Sequence, residues 1–279
     1  MSGRRRVAAT MGRYVGLLPF IAFAGFPLYW MVNTVTVDPL QLYATPQGLI
    51  LNLQRLGNLF EVFRSDSSPL LDWLKNSLFI AVGTTLLSLL LAVTVAYALS
   101  RYKFAGRGVL GFVMFATQML PQAMLIVPLY AAFVALGLLN AGGVVLAVTA
   151  FTMPIAVWII KTAIDSVPVE IEEAARVDGC PSFGIMSMVT LPLVAPSLAA
   201  AAVLCFFDGW NEFMFATTFI QEKDNWAAST GLAAFVGEFV TPINTVFAAA
   251  VWFTLPAVVF FLLLQRRIIG GLSAGSVKG

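Results

Sequence analysis

The sequence has no histidine, only two cysteines and few charged residues. Charged residues make up 11% of the 279 positions and hydrophobic residues 59%, whereas an average soluble domain carries about 25% charged residues. A soluble fold with so few charges would leave large apolar patches in contact with water. We therefore expect an all-α polytopic membrane protein, a chain that is solvated largely by the lipid bilayer.

Each of these shortages excludes a kind of site. Without histidine, metal sites, proton relays and catalytic triads that use an imidazole are excluded. Cys180 and Cys205 are too few for a disulfide framework and do not have metal-ligand spacing, so no metal site is expected. The net charge is only +2, with no basic stripe, which argues against nucleic acid as a partner. Phosphate-loop and dinucleotide motifs are also missing, so we expect no cofactor on this chain.

Runs of sequence without charge predict six membrane spans. A charge at the bilayer centre costs several kcal/mol, and a helix needs about 20 residues to cross the hydrocarbon core. Four charge-free runs hold 24 to 29 residues, and the fifth, 108–160, holds 53. The long run has the helix breakers of 137–143 in its middle, which predict a turn between two spans. Within a single transmembrane domain over 1–279, the approximate spans are 14–36, 76–100, 109–135, 141–163, 187–208 and 245–266.

The distribution of basic residues predicts the orientation. Twelve of the 16 Lys and Arg residues fall in the termini and in the loops 101–107 and 161–188, and four fall on the other side. Because basic residues concentrate in the cytoplasm, we expect both termini to be cytoplasmic. A signal peptide cleaved after Ala24 is the alternative for the N-terminus. The apolar run continues past Ala24 to Val32, which favours its retention as the first span.

The loop 165–186, between the fourth and fifth predicted spans, carries the most specific pattern. Pro168 and the acidic residues after it are typical of a helix start, and Gly179 with Pro181 is typical of a helix end. The pattern therefore predicts a helix over 168–179. One face of this helix is dominated by small residues, which let another surface approach the backbone closely. The face contains Ile171, Ala174, Ala175 and Asp178.

A lipid-surface helix or a solvated connector is the alternative interpretation of 168–179. Membrane-surface helices favour Lys and Arg on their polar face. This helix instead has four acidic residues against Arg176 alone, and the anionic inner leaflet would repel it. A protein partner is the better explanation.

The same residues resemble the EAA signature of bacterial ABC-importer permeases. That signature reads E-A-A, three residues, G, nine residues, I-x-L-P. The sequence has Glu173-Ala174-Ala175, then Gly179, then Val189-Thr190-Leu191-Pro192, with Val189 as its only departure. The segments 73–78, 210–213 and 271–279 are similar to those of carbohydrate importers, the ending especially to permeases of the MalG-like type.

The resemblance implies the type I ABC importer (MetI/MalG-like) permease fold and a place in the bacterial cytoplasmic membrane. It implies a permease subunit without its own ATPase site that moves a sugar or sugar-like solute. The implied partners are a second permease subunit, two cytoplasmic ATPase subunits that bind ATP and Mg, and an extracytoplasmic solute-binding protein. The residues implied in ATPase coupling are Glu172, Glu173, Ala174, Ala175, Asp178, Gly179, Leu191 and Pro192.

Three further groups of residues have two interpretations each. In the tail, Ser276 and Lys278 would contact the ATPase subunits by resemblance, or belong to a mobile end. Within the third span, Gln118 and Gln122 either line a pathway or hold helices together. The last group either contacts the binding protein or substrate, or anchors a span end at the interface; it comprises Asp208, Trp210, Asn211 and Glu212.

A stand-alone secondary transporter or channel is the alternative function. Coupling to protons or sodium normally requires ionisable residues in the middle of spans. The five charge-free runs contain none, which favours the ABC-importer interpretation. A membrane enzyme is a weaker alternative, because no cluster of catalytic groups faces either side.

Overall fold

The computed structural model describes residues 3–44, 48–64, 69–236 and 242–275, and for 3–15, 43–44 and 269–275 it describes the helical backbone alone. All regular structure in these residues is helical. The α-helices are α1 Gly3–Thr36, α2 Pro39–Ala44, α3 Asn58–Glu61, α4 Leu70–Arg101, α5 Arg107–Thr117, α6 Gln122–Ala135, α7 Ala141–Asp165, α8 Val169–Val177, α9 Ser182–Gly184, α10 Leu191–Leu193, α11 Ala195–Trp210, α12 Met214–Phe219, α13 Ala228–Ala234 and α14 Ile243–Gly275. Short 3₁₀ turns at Leu53–Arg55 and Lys223–Asn225 and a π-helical turn at Ile185–Thr190 complete the set.

The chain forms two compact units, Met1–Leu70 with Leu232–Thr254 and Leu71–Gly231 with Leu255–Gly279. In the first unit, polar side chains tie the end of α1 to the segments that follow it. The Asn244 amide donates to the Val37 carbonyl at 2.8 Å, and the Trp252 indole donates to the Leu59 carbonyl at 2.8 Å. The Arg55 guanidinium lies 2.9 Å from Asp38 and lowers the pKa of that carboxyl.

Four helices are long and apolar enough to cross a membrane, over Gly16–Thr36, Leu70–Arg101, Ala141–Asp165 and Ile243–Ile268. The other two predicted spans, 109–135 and 187–208, are bent pairs and not straight helices. The described chain therefore holds up to six spans when each bent pair counts as one.

Proline chemistry explains both bends. α5 and α6 meet at 102°, where Pro121 has an extended ψ of 125° and precedes α6. Proline has no N–H and disfavours the α conformation in the residue before it, so a helix usually ends there. The segment Ser182–Leu193 meets α11 at 83°, and Pro196 lies in the first turn of α11, where a proline is well tolerated.

The turn predicted at 137–143 is confirmed. Gly137 has a φ of +67°, which favours glycine, and the Asn140 side chain caps α7 by accepting from the Gly143 amide at 3.1 Å. A Cβ at Gly143 would lie 1.9 Å from the Leu138 carbonyl oxygen. A side chain at this position is therefore incompatible with the observed turn.

Close helix packing forms the core of the second unit, where α11 packs along α7. Gly209 brings α11 onto α4, because a Cβ there would lie only 2.8 Å from the Ala81 Cα. The buried hydroxyls of Ser88 and Thr152 are 2.8 Å apart and join α4 to α7. Small residues and interhelical hydroxyl bonds of this kind are what hold helices together in lipid.

Candidate functional site

The loop 165–186 contains the predicted helix as α8, Val169–Val177, slightly shorter than the predicted 168–179. Pro168 is the N-cap with an extended ψ of 133°, so the helix begins one residue later. At the other end Gly179 has a φ of +88°. The Cys180 amide donates to the Ala175 carbonyl at 3.0 Å and the Gly179 amide to the Arg176 carbonyl at 3.1 Å. These two bonds form a Schellman motif, which ends the helix at the predicted glycine.

α8 is exposed on most of its surface. Glu173, Ala174, Asp178 and Gly179 are exposed, and Ala175 is half-buried. The apolar side chain of Val177 is 87% exposed. The small-residue face is therefore open to a partner surface, as the sequence predicts.

Glu172 is the exception, because it is buried to 2% exposure and points into the second unit. Its Oε1 accepts from the Arg101 Nε at 2.9 Å and from the Thr190 hydroxyl at 2.7 Å. Its Oε2 accepts from the Tyr97 hydroxyl at 3.1 Å. The carboxylate therefore has three donors from two other segments. Glu172 therefore anchors α8 inside the chain and does not lie on its exposed surface, and its implied part in ATPase coupling stays a prediction.

Arg101 links the anchor to a third segment. Besides Glu172, its guanidinium donates to the Ile164 carbonyl at 3.0 Å and to the Val167 carbonyl at 2.9 Å. One side chain thus connects the end of α4, the end of α7 and α8. Removing one member of such a buried ion pair typically costs about 3–5 kcal/mol, because the other charge is left uncompensated.

The second half of the EAA-like pattern lies on the far side of this anchor. Thr190 ends the π-helical turn Ile185–Thr190, and its hydroxyl reaches Glu172. Leu191 packs against the core cluster between α4, α7 and α11, and Pro192 is exposed. The spacing between the two halves of the pattern therefore brings Glu172 and Thr190 together in the structure.

The sequence analysis missed Arg101, Tyr97 and Thr190 as site residues. In the sequence, the charge of Arg101 indicates only the orientation of the spans. Tyr97 is one aromatic residue among the apolar residues of a long span. The one available signal was the position of Arg101 directly after a charge-free run, next to the cytoplasmic loop. An unpaired arginine at a span end usually faces the interface, so this signal does not identify its partner.

The structure separates the four candidates near residue 210. Trp210 is 1% and Glu212 8% exposed, so neither lies on a surface open to a binding protein or a substrate. Of the two interpretations, this burial favours a structural role at the span end for both residues. Trp210 stacks on Phe206 with ring centroids 5.9 Å apart. Asp208 and Asn211 are exposed and stay available for contact.

Glu212 holds the start of α12. Its Oε1 accepts from the Phe215 amide at 2.7 Å. Burial raises the pKa of this carboxyl, and backbone N–H groups of residues 213–216 act against that rise. Helix-start N–H groups suit a carboxylate, but within the described residues Glu212 has no cationic partner.

The segment that follows is fixed onto the beginning of α4. The Trp73 indole donates to the Lys223 carbonyl at 2.7 Å, and the Ala228 amide donates to the Ser77 hydroxyl at 2.8 Å. Gly231 lies on the Trp73 ring so closely that a Cβ there would be 2.0 Å from a ring carbon. The segment 212–231 is therefore an ordered cap and not a free loop.

The remaining candidates are less informative. Gln118 donates to the Phe151 carbonyl at 3.0 Å, which is the helix-joining role, whereas Gln122 is exposed at the start of α6. Ser276 and Lys278 lie outside the residues that the structure describes.

These features define a helical, multi-span membrane protein. Its loop helix α8 is anchored to the spans through Glu172 and exposed on the remaining faces. Residues 85–273 match the family described as "Binding-protein-dependent transport system inner membrane component". Since this match covers more than half of the chain, the chain belongs to that family.

Similar proteins point to the carbohydrate branch of this family. The inner membrane ABC transporter permease protein YcjP of Escherichia coli is 31% identical over 100% of both chains. The trehalose/maltose transport system permease protein MalG of Thermococcus litoralis is 31% identical over 95% of both. The trehalose transport system permease protein SugB of Mycobacterium tuberculosis is 31% identical over 93% of this chain and 94% of its own.

The fold matches a solved transporter. A chain in the crystal structure of a bacterial ABC transporter involved in the import of the acidic polysaccharide alginate has a TM-score of 0.75 and 22% identity, with 95% of this chain and 98% of that chain covered. The all-α fold is therefore that of an ABC importer permease.

Proposed function

We propose that this chain is a permease subunit of an importer for a sugar or sugar-like solute, driven by ATP hydrolysis on separate ATPase subunits through α8. The observation that carries the proposal is that α8 is buried on one side and exposed on the other. Glu172 fixes one side of it to α4 and Thr190, while its small-residue face is exposed. When a partner subunit bound to its exposed face moves, a helix with this geometry can transmit the displacement to several spans.

The carbohydrate class is supported by the relatives. Their names refer to trehalose and maltose, arabinooligosaccharides and sulfoquinovosyl glycerol. All of these compounds are glycosides or sugar oligomers. We therefore assign this chain a carbohydrate or glycoside as its transported solute.

The proposed assembly has a second permease subunit, two ATPase subunits that bind ATP and Mg, and an extracytoplasmic binding protein. A solved relative of the fold is an alginate transporter in complex with an alginate pentasaccharide-bound periplasmic protein. In the proposed orientation both termini and α8 lie in the cytoplasm of a bacterial cell, where the ATPase subunits are. The exposed Asp208 and Asn211 then lie near the outer surface, where a binding protein would dock.

The test is coupled ATP hydrolysis by the assembled complex in lipid vesicles, with its binding protein and a panel of sugars. Glu173→Lys reverses a charge on the exposed face of α8, and we expect it to abolish sugar-stimulated hydrolysis while the chain still inserts. Glu170→Lys makes the same change at an exposed position one turn earlier on the same helix, outside the EAA-like signature, and we expect a smaller effect. Full stimulation in the Glu173→Lys complex would contradict the role of α8.

A further inference from the structure

A groove of about 400 Å³ lies in the second unit beside α5 and α7. Its walls are apolar and include Phe112, Phe115 and Trp158. Phe112 is 71% and Phe115 58% exposed. Gly111 also lines the groove, and a Cβ there would lie 3.9 Å from the Trp158 ring, in van der Waals contact with it.

Two basic side chains, Arg107 and Lys161, also line this apolar groove. Arg107 is the first residue of α5, and Lys161 lies one turn before the end of α7. Lys161 pairs with Asp165 at 2.5 Å and lies 5.8 Å from the Trp158 ring centroid. The Arg107 guanidinium makes no hydrogen bond or ion pair within the described part of the chain, and only the Arg107 backbone amide donates, to the Phe104 carbonyl. No acidic side chain lines the groove.

The occupant that fits must be apolar along its length and negative at one end. An anionic phospholipid has this chemistry, since its acyl chains are apolar and its phosphodiester is negatively charged. A transmembrane helix of a second subunit would cover the apolar walls but would leave Arg107 without a counter-charge. Basic pockets between spans on the cytoplasmic side are known to bind anionic headgroups.

We propose that this groove binds an anionic phospholipid. The phosphodiester lies between Arg107 and Lys161, and one acyl chain lies along Phe112, Phe115 and the Trp158 ring. The proposal rests on the orientation given above, which places the 101–107 loop and the end of α7 at the cytoplasmic leaflet. Tryptophan is enriched at this depth of the bilayer, so Trp158 suits the boundary between headgroup and chain.

Native mass spectrometry of the complex, delipidated and titrated with phosphatidylglycerol or phosphatidylcholine, tests the headgroup contact. We expect the wild-type complex to retain phosphatidylglycerol in preference to phosphatidylcholine. Arg107→Gln and Lys161→Gln are each expected to weaken that retention about fivefold. Lys103→Gln removes the same charge from an exposed position in the same loop and is the matched control.

Equal retention of the two lipids, or an equal loss in Lys103→Gln, would overturn the proposal, because either result means general surface attraction and not a site. Gly111→Leu tests the groove itself, since it fills the space beside Trp158 and keeps both cations. We expect this variant to lose the preference for phosphatidylglycerol, and unchanged retention would overturn the acyl-chain contact.

A second measurement leaves Arg107, Lys161 and Gly111 unchanged and needs only one conservative variant, which supplies the fluorescence background. Phosphatidylglycerol with brominated acyl chains should quench the fluorescence of Trp158, measured as the difference between wild type and Trp158→Phe. Phosphatidylcholine with the same brominated chains is expected to quench it less. Equal quenching by both lipids, or none, would count against the site.

Discussion

Two buried glutamates, Glu172 and Glu212, hold segments at opposite ends of the second unit by different physical means. Glu172 is ion-paired with Arg101 and accepts three side-chain hydrogen bonds. Glu212 accepts from the Phe215 amide and pairs with no cation in the part of the chain that the structure describes. The first needs its charge because Arg101 would otherwise be buried alone. The second works as a helix cap, which a neutral acceptor can also provide.

This difference between Glu172 and Glu212 fits the role proposed for each end of the second unit. A loop helix that transmits force between subunits needs a connection that resists displacement, and a buried ion pair with several donors provides one. A cap over the opposite end needs shape and order, which Trp73, Gly231 and Glu212 provide without an ion pair. The two ends should therefore respond differently to loss of charge, to loss of single hydrogen bonds and to pH.

The largest effect is expected from Arg101→Ala. This variant leaves Glu172 buried without its cation and frees the carbonyls of Ile164 and Val167, so we expect a loss of about 3–5 kcal/mol of stability. Thermal unfolding of the detergent-purified chain measures it. Lys103→Ala removes an exposed cation from the neighbouring loop and is expected to change stability by less than about 0.5 kcal/mol. Equal melting temperatures for the two variants would contradict the anchor.

Replacing each glutamate by glutamine, its neutral isostere, distinguishes most directly whether Glu172 and Glu212 stabilise the fold through their charge. Glu172→Gln keeps an acceptor but leaves the Arg101 charge uncompensated, so we expect a loss of about 2 kcal/mol or more. Glu212→Gln keeps the acceptor for the Phe215 amide and removes a buried charge, so we expect no loss or a small gain. The measurement is the pair of melting temperatures under one condition. If Glu212→Gln destabilises the chain as much as Glu172→Gln does, the two ends are not held differently.

Single hydrogen bonds to Glu172 should have intermediate effects. Tyr97→Phe and Thr190→Val each remove one donor to a charged acceptor and keep the side-chain volume nearly constant. Each is expected to cost about 1.5–3 kcal/mol, the usual range for a hydrogen bond to a charged group. Thr217→Val is a matched control, because the Thr217 hydroxyl pairs with the neutral Thr230 hydroxyl at 3.0 Å. Its cost should be smaller than that of Thr190→Val, and the reverse order would argue against a charged acceptor at Glu172.

The smallest effect is a pH dependence confined to the Glu212 end. Burial raises the pKa of Glu212 in the folded chain above its ordinary value of 4.5. Its contribution to stability is therefore complete below that ordinary value and is lost as the pH rises through the folded pKa. Hydrogen exchange of the α12 amides should show less protection at about pH 8 than at about pH 5. Glu212→Gln should remove that difference, and a pH effect that survives in the variant would assign it to another group.

Local patterns in the sequence predicted much of the fold. The turn at 137–143 and the end of α8 at Gly179 each depend on residues within seven positions of each other, and the sequence predicts both. The run lengths between charges predicted the long helices α4, α7 and α14. Pro121 indicates a kink in its span, but neither the break there nor the one before Pro196 follows from the sequence, because lipid-embedded helices tolerate prolines when neighbouring groups satisfy the freed backbone.

The candidate site was predicted in its position but not in its internal contacts. The exposed face of α8 follows from its spacing of small residues. The burial of Glu172 and Glu212 does not, since an acidic residue next to a span end is ordinarily solvated.

The sequence by itself determined that this chain lies in a membrane, where its spans run and which loop carries its family's signature. Hydrophobicity and helix-end chemistry are short-range properties, so a single sequence is enough to identify them. Only the tertiary structure decided which acidic residue of α8 faces inward and which arginine, 71 positions earlier, neutralises it. That pairing depends on how α4, α7, α8 and the π-helical turn Ile185–Thr190 converge in space, because a charge is stable inside the protein only where its partners are brought to it.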